Sequence, residues 1–106
     1  MKSFTEREKG FEAEFKRNQE LMFRVTACRN RLLGLWAAAR LGMPAEEAEV
    51  YAKTVVAADF EAPGDADIIK KVRTDFEEKG VAVTEAELRS ELARAAAEAH
   101  RQLARS

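Results

Sequence analysis

The segment "ELMFRVTACRNRLLGLWAAARL" (residues 20–41) decides the fold, because its apolar side chains recur at steps of three and four. This spacing predicts a helix with one continuous buried stripe. Gly42 and Pro44 predict its end, since glycine tolerates the left-handed cap and proline cannot continue the hydrogen-bond ladder. The predicted stripe consists of Leu21, Val25, Cys28, Leu32, Leu35, Trp36 and Ala39.

A second amphipathic helix is predicted from Pro44, which suits a first turn, to about Phe60. Glu46 and Glu47 stand near its start, where the helix dipole favours negative charge. We expect this helix to pack antiparallel to the first. Its apolar face consists of Ala48, Tyr51, Ala52, Val55 and Val56.

Two further helices are predicted after "EAPGDAD" (residues 61–67), which interrupts the apolar pattern. Asp65 is placed to cap a third helix that extends to about Lys79 and ends at Gly80. Thr84 and Glu87 have the spacing of a capping box and open a fourth helix. The inward positions are Ile68, Ile69, Val72 and Phe76 in the third helix and Leu88, Leu92, Ala95, Ala96, Ala99 and Leu103 in the fourth.

The predicted fold class is all-α, a small four-helix bundle with a mobile N-terminal arm. A chain of 106 residues with 46% hydrophobic residues and only two prolines is large enough for one modest helical core. We divide it into an arm at residues 1–19, disordered or marginally helical when free, and a bundle at residues 20–106.

Several function classes are disfavoured by composition. The net charge of −1 provides no positive field for nucleic acid or for an anionic membrane. Neither an 18-residue apolar run nor a secretory leader is present in the sequence, which predicts a cytoplasmic protein without direct membrane insertion.

The sequence contains few residues that could act in catalysis or bind a metal ion. His100 is the single histidine, and the single cysteine, Cys28, falls in the apolar stripe, where we expect it to pack in the core. The acidic residues between Asp59 and Asp67 lack the alternating ligand pattern of a calcium loop, and Pro63 interrupts them. We therefore expect no enzyme and no metal site.

The N-terminal stretch "SFTEREKGFEAEFK" (residues 3–16) holds three of the six phenylalanines. In a helix, Phe4, Phe11 and Phe15 fall at i, i+7 and i+11, on one face, although Gly10 costs roughly 1 kcal/mol of helix propensity. Either the segment extends the first helix and the rings fold back on the bundle, or it becomes helical only in a groove of another protein. The bundle pattern is complete without these rings, which favours the partner-binding arm.

Three blocks of sequence resemble the zeta subunit of the alphaproteobacterial F-type ATP synthase over nearly the whole chain. They are "SFTEREKGFEAEF" (residues 3–15), "RNRLLGLWAA" (residues 29–38) and "YAKTVVAADFEAPGDADIIKKV" (residues 51–72). The resemblance implies a four-helix bundle whose mobile N-terminal segment becomes a helix wedged between the catalytic alpha and beta subunits, against the central gamma stalk. The implied function is a non-enzymatic inhibitor that blocks ATP hydrolysis.

The resemblance also implies the site and the partners. The partner is the catalytic head (alpha, beta and gamma subunits), and the protein is expected to be peripheral to the inner membrane through the synthase. No cofactor is implied, although weak adenine nucleotide binding stays open. A general protein-interaction or nucleotide-sensing helical adaptor, acting through the arginine-bearing first helix, is the alternative. The implied partner-binding residues are the apolar anchors Phe4, Phe11 and Phe15 and the orienting charges Glu6, Arg7, Glu8 and Lys9.

Overall fold

A computed structural model describes residues 3–59 and 65–104, with side chains from residue 19 onward. Within these residues the chain forms four helices and no strand, which confirms the predicted all-α four-helix bundle. The helices are α1 (Ser3–Arg40), α2 (Ala45–Ala58), α3 (Ala66–Glu78) and α4 (Glu85–Ala104). The backbone of residues 3–19 belongs to α1, so the division into arm and bundle after residue 19 stays a prediction.

The predicted stop signals are confirmed at the turns after α1 and α3. Gly42 has a φ of +77° and Gly80 a φ of +68°, the left-handed region that glycine enters without steric cost. At the first turn, the amide of Met43 donates to the carbonyl of Ala38 at 2.9 Å, so the end of α1 is closed by its own backbone.

The helix α1 packs against both α2 and α4, which run antiparallel to it. Toward α2, Gly34 lies against Ala52, and Arg31 forms an ion pair with Glu49 at 2.8 Å. Toward α4, contacts join Cys28 to Gln102 near one end and Arg40 to Glu87 near the other. The α1 residue numbers fall as those of α4 rise, from Arg40 beside Glu87 to Cys28 beside Gln102. Toward α2 the same order holds from Gly34, beside Ala52, to Asn30, which shares a groove with Val56 and Asp59, so both helices are antiparallel to α1.

The core draws side chains from all four helices. The predicted inward positions of α3 and the predicted Leu88, Leu92, Ala95 and Ala99 of α4 are buried, and Ala52 and Val55 carry the core face of α2. The central cluster consists of Leu33, Ala37, Val55, Ile68, Ile69, Val72, Phe76, Leu88 and Leu92.

The predicted stripe of α1 is partly wrong. Leu21 and Ala39 are exposed, and only Val25 of the predicted set is fully buried. The missed core residues lie on an adjacent face: Asn30, Leu33, Gly34, Ala37 and Ala38. The physical reason is that α1 packs mainly against two helices, α2 and α4, on different faces. The predicted stripe includes Cys28 on the α4 side, whereas the α2 side is lined with small residues that permit a close approach of backbones.

The two predicted helix caps have different outcomes. The amide of Glu87 donates to the Oγ1 of Thr84 at 3.1 Å, which confirms the hydroxyl half of the capping box. Asp65 occupies the N-cap position of α3 but makes no side-chain cap hydrogen bond. Its carboxylate instead forms an ion pair with Arg29 at 3.1 Å, so the predicted capping role is wrong.

Candidate functional site

The predicted partner-binding residues lie in the N-terminal part of α1, whose backbone is helical from Ser3 onward. Their side chains lie outside the described residues, so their assignment as anchors and orienting charges stays a prediction. The set comprises Phe4, Glu6, Arg7, Glu8, Lys9, Phe11 and Phe15.

Immediately after the arm, α1 presents large apolar side chains to solvent. Met22 is 68% exposed and Phe23 is 58% exposed, and Leu21 beside them is exposed as well. Large apolar side chains scattered singly on a surface are ordinary, but Met22 and Phe23 line the same groove and so form a patch. This patch adjoins the arm for which we predict partner binding.

The patch borders a groove of about 470 Å³ between α1 and the C-terminal end of α2. Most of the lining comes from α1, on the face that becomes the core face farther along the helix. The lining residues are Gln19, Met22, Phe23, Thr26, Ala27, Asn30, Val56 and Asp59.

Asn30 is the one buried polar residue among the described residues, with 1% of its surface exposed. Its Oδ1 accepts hydrogen bonds from the Nε and NH2 atoms of Arg29, both at 3.0 Å. Arg29 also pairs with Asp65, which ties α1 to the start of α3. The Nδ2 of Asn30 is buried and has no hydrogen-bond partner among the residues that the structure describes, an arrangement that usually costs about 1–3 kcal/mol.

The other paired arginines of α1 also have partners within the chain. Arg31 forms its 2.8 Å ion pair with Glu49 of α2. Arg40 lies 3.7 Å from Glu87 of α4, and its guanidinium stacks over the Trp36 ring at 5.4 Å. Two ion pairs therefore join basic residues of α1 to acidic residues that follow it, Arg29 with Asp65 and Arg31 with Glu49.

A polar cluster that the sequence analysis missed joins α2 to α3. The hydroxyl of Tyr51 donates to the Oδ2 of Asp75 at 2.7 Å, and the Nζ of Lys71 donates to the same oxygen at 3.0 Å. Burial, followed by the hydrogen bond and the negative charge of Asp75, raises the pKa of Tyr51 far above its ordinary value. The i,i+4 spacing of Lys71 and Asp75 was the signal available in the sequence.

The candidates for chemistry are dispersed. His100 is exposed on α4. Cys28 is half-buried, with its Sγ 3.5 Å from the Oε1 of Gln102, so the prediction that it packs in the core is wrong. Its position faces α4 and not the central cluster. Among residues 3–59 and 65–104, no group of three or more histidine, cysteine, aspartate or glutamate side chains is arranged to hold a metal ion. Over the same residues, every helix is too short or too polar to cross a membrane.

Comparison with known proteins assigns the family. The family model of the ATPase inhibitor subunit zeta matches residues 1–102. The chain belongs to this family. The match confirms the resemblance seen in the sequence and spans both the arm and most of the bundle of this zeta-family protein.

A solved structure supports the same fold. It is described as "Solution NMR structure of the protein", is 42% identical to this zeta-family chain and has a TM-score of 0.71. The alignment covers 78% of this chain and 94% of the other. Among curated proteins, none matches this chain significantly.

Proposed function

We propose that this zeta-family protein inhibits ATP hydrolysis by the F-type ATP synthase through mechanical obstruction. Residues 1–19 insert as a helix between the catalytic alpha and beta subunits, against the gamma stalk, and block rotation in the hydrolytic direction. The observation that carries the proposal is the family match, which includes the arm and the bundle in one stretch, residues 1–102. The protein catalyses no reaction itself.

Helix α1 gives the proposed obstruction a physical basis. A helix of 38 residues is about 57 Å long, of which the part before residue 20 contributes about 25 Å. The C-terminal half of α1 is held between α2 and α4. A force that rotation exerts on the inserted arm is therefore transmitted along α1 to the packed bundle. In the proposal the bundle is too wide to enter the cleft between the alpha and beta subunits, so it stays outside.

The arm carries the side chains that such an insertion needs. Phe4, Phe11 and Phe15 share one helical face by their spacing and serve as apolar anchors in the proposal. The charged run from Glu6 to Lys9 orients the helix and sets the rate of association.

The adaptor alternative is weakened by the ion pairs of α1. An adaptor that binds through this helix would use its arginines, but three of the four between residues 20 and 41, Arg29, Arg31 and Arg40, are paired with carboxylates of the same chain. The inhibitor proposal places the protein in the cytoplasm, peripheral to the inner membrane, and requires no cofactor. Adenine nucleotide would act only as a weakly bound modulator.

The test is ATP hydrolysis by a cognate catalytic head, titrated with the full chain and with a variant in which Phe4, Phe11 and Phe15 are all alanine. Burial of one such ring stabilises a complex by about 1.5–3 kcal/mol, so the triple variant should inhibit about a thousandfold more weakly or worse. The matched control is Val50→Ser, which removes an apolar side chain that is 63% exposed on α2.

The melting temperature separates the two interpretations of the arm. If the arm binds the partner, the triple variant should no longer inhibit ATP hydrolysis but should melt at the same temperature as the parent chain. A parent chain that leaves hydrolysis unchanged would refute the inhibitor function. A triple variant that melts much earlier would instead place the three rings in the bundle core.

A further inference from the structure

We infer that the bundle carries a second contact surface for the same ATPase, formed by Met22 and the groove whose floor is Asn30. This inference rests on the proposed function and deepens it, because it extends the interface beyond the arm. The occupant is a segment of the catalytic head that presents an apolar side chain, a main-chain carbonyl and a neighbouring basic side chain. We call this surface the arm-base surface.

The spacing along α1 makes the arm-base surface continuous with the arm. Met22 follows Phe4 by 18 residues, which is five full turns of an α-helix, and it follows Phe15 by seven residues. Met22 therefore shares the helical face of the phenylalanines and lies about 10 Å beyond Phe15 along the axis. A partner that contacts that face of the arm meets Met22 next.

The same face becomes the core face of α1 farther along the helix. Asn30, Leu33 and Ala37 follow Met22 at helical spacing and are buried. Met22, two turns earlier, is 68% exposed. Helix α2, which covers this face near Gly34, ends at Ala58. The core-facing stripe of α1 thus continues past the last residue of helix α2, and Val56 and Asp59 line the groove at that end.

The groove floor contains a hydrogen-bond donor that the fold leaves unused. Both hydrogen bonds to the Asn30 side chain are accepted by its Oδ1, and within the described part of the chain the buried Nδ2 has no partner. A buried donor without an acceptor is unfavourable, so an acceptor supplied from the groove side gains more than an ordinary surface hydrogen bond would. A main-chain carbonyl is the acceptor that every protein segment carries.

The negative charge at the groove favours a bound segment that carries a basic side chain. Asp59 is the only ionisable residue among the lining residues, and the remaining polar groups are those of Gln19, Thr26 and Asn30. A basic side chain beside the bound apolar one would pair with Asp59 at the rim. An acidic segment would be repelled, which gives the surface a preference beyond simple hydrophobicity.

The experiment uses the full chain with Met22→Ser, and Val50→Ser as its matched control. The two parent side chains are 68% and 63% exposed, both lie in helices, and both become serine. Inhibition of ATP hydrolysis by the catalytic head is titrated for each, and melting temperatures are compared. Met22→Ser should weaken inhibition at least about tenfold without a lower melting temperature than the control. Val50→Ser should inhibit as the parent does.

A second variant tests the groove floor. Asn30→Asp keeps the shape of the side chain and its bonds to Arg29 but replaces the Nδ2 donor with an acceptor oxygen. It should weaken inhibition by repelling the carbonyl of the occupant. Unchanged inhibition by Asn30→Asp would overturn the assignment of a carbonyl to this position.

The outcomes separate this inference from the proposed function. A parent chain without inhibitory activity removes the proposed function itself. A parent that inhibits, together with a Met22→Ser variant that inhibits equally well, overturns the arm-base surface alone. Sedimentation equilibrium tests the alternative that the surface binds a second copy of this chain. If the parent self-associates and Met22→Ser abolishes the association but not the inhibition, that alternative is correct and the inference is wrong.

Discussion

Gly34→Ala is expected to destabilise the bundle, although alanine is the better helix former. A Cβ built on Gly34 would lie 2.7 Å from the Cα of Ala52, 3.2 Å from its Cβ and 3.3 Å from the Cγ2 of Val55. The first of these distances is too short for two carbon atoms, whose favourable separation is about 3.5–4.0 Å. Because the nearest atom belongs to the α2 backbone, a change of rotamer cannot relieve the overlap.

The expected magnitude follows from two opposing terms. Gly→Ala inside a helix gains about 1 kcal/mol of propensity. Overpacking of a well-packed interior typically costs about 1–3 kcal/mol, and separating α1 from α2 by close to 1 Å also loosens the packing of Leu33 and Val55 in the central cluster. We therefore expect a net loss of about 1–2 kcal/mol, which corresponds to a fall in melting temperature of roughly 5–15 °C.

The assay is thermal unfolding followed by circular dichroism, with Ala39→Gly as the reference. Ala39 is exposed on the same helix. This variant therefore measures the change in melting temperature that the glycine–alanine exchange causes where no second helix approaches closely. The packing argument is refuted if Gly34→Ala raises the melting temperature by as much as Ala39→Gly lowers it. Adding Ala52→Gly to Gly34→Ala should restore only part of the loss, since the new methyl group still overlaps the α2 backbone.

Three further predictions follow from single residues. Gly10→Ala should strengthen inhibition, by up to about fivefold, because less free energy is needed to order the arm; equal or weaker inhibition would contradict an arm that acts as a helix. Tyr51 is the only tyrosine, and its raised pKa means that absorbance at 295 nm should show a neutral phenol in the native protein well above pH 10, but ionisation near pH 10 in denaturant. Because the unfolded chain then releases the proton first, the contribution of Tyr51 to stability is present below about pH 10 and declines as the pH rises, and Tyr51→Phe should lack that part of the decline. Gly42→Ala should lower the melting temperature, since its φ of +77° is strained for alanine; an unchanged melting temperature would argue against that turn.

Much of the fold could be predicted because each helix has its own signals. The inward residues of α3 and the stop at Gly80 follow from local spacing and one left-handed glycine. The α1 stripe could be predicted only in part, because a helix with two neighbours buries a wider face than one apolar stripe describes. Gly34 and Ala37 carry little hydrophobic signal, and their burial depends on how closely α2 approaches.

The polar features were harder to predict because they depend on tertiary packing. Asp65 has the residue type and position of a cap, but Arg29 is close enough to take its carboxylate. Asn30 looks like an ordinary surface residue in the sequence, and only the packing of α1 buries it. The groove beside it arises from where α2 ends relative to α1, which local patterns do not determine.

The most direct test of the central claim is photo-crosslinking from position 11 of the arm to the inhibited catalytic head. A photoreactive amino acid replaces Phe11 in one variant and the exposed Ala93 of α4 in the control. The account predicts crosslinks from position 11 to the alpha, beta or gamma subunit under inhibiting conditions, and few or none from position 93. Full inhibition with crosslinks from position 93 and none from position 11 would contradict it.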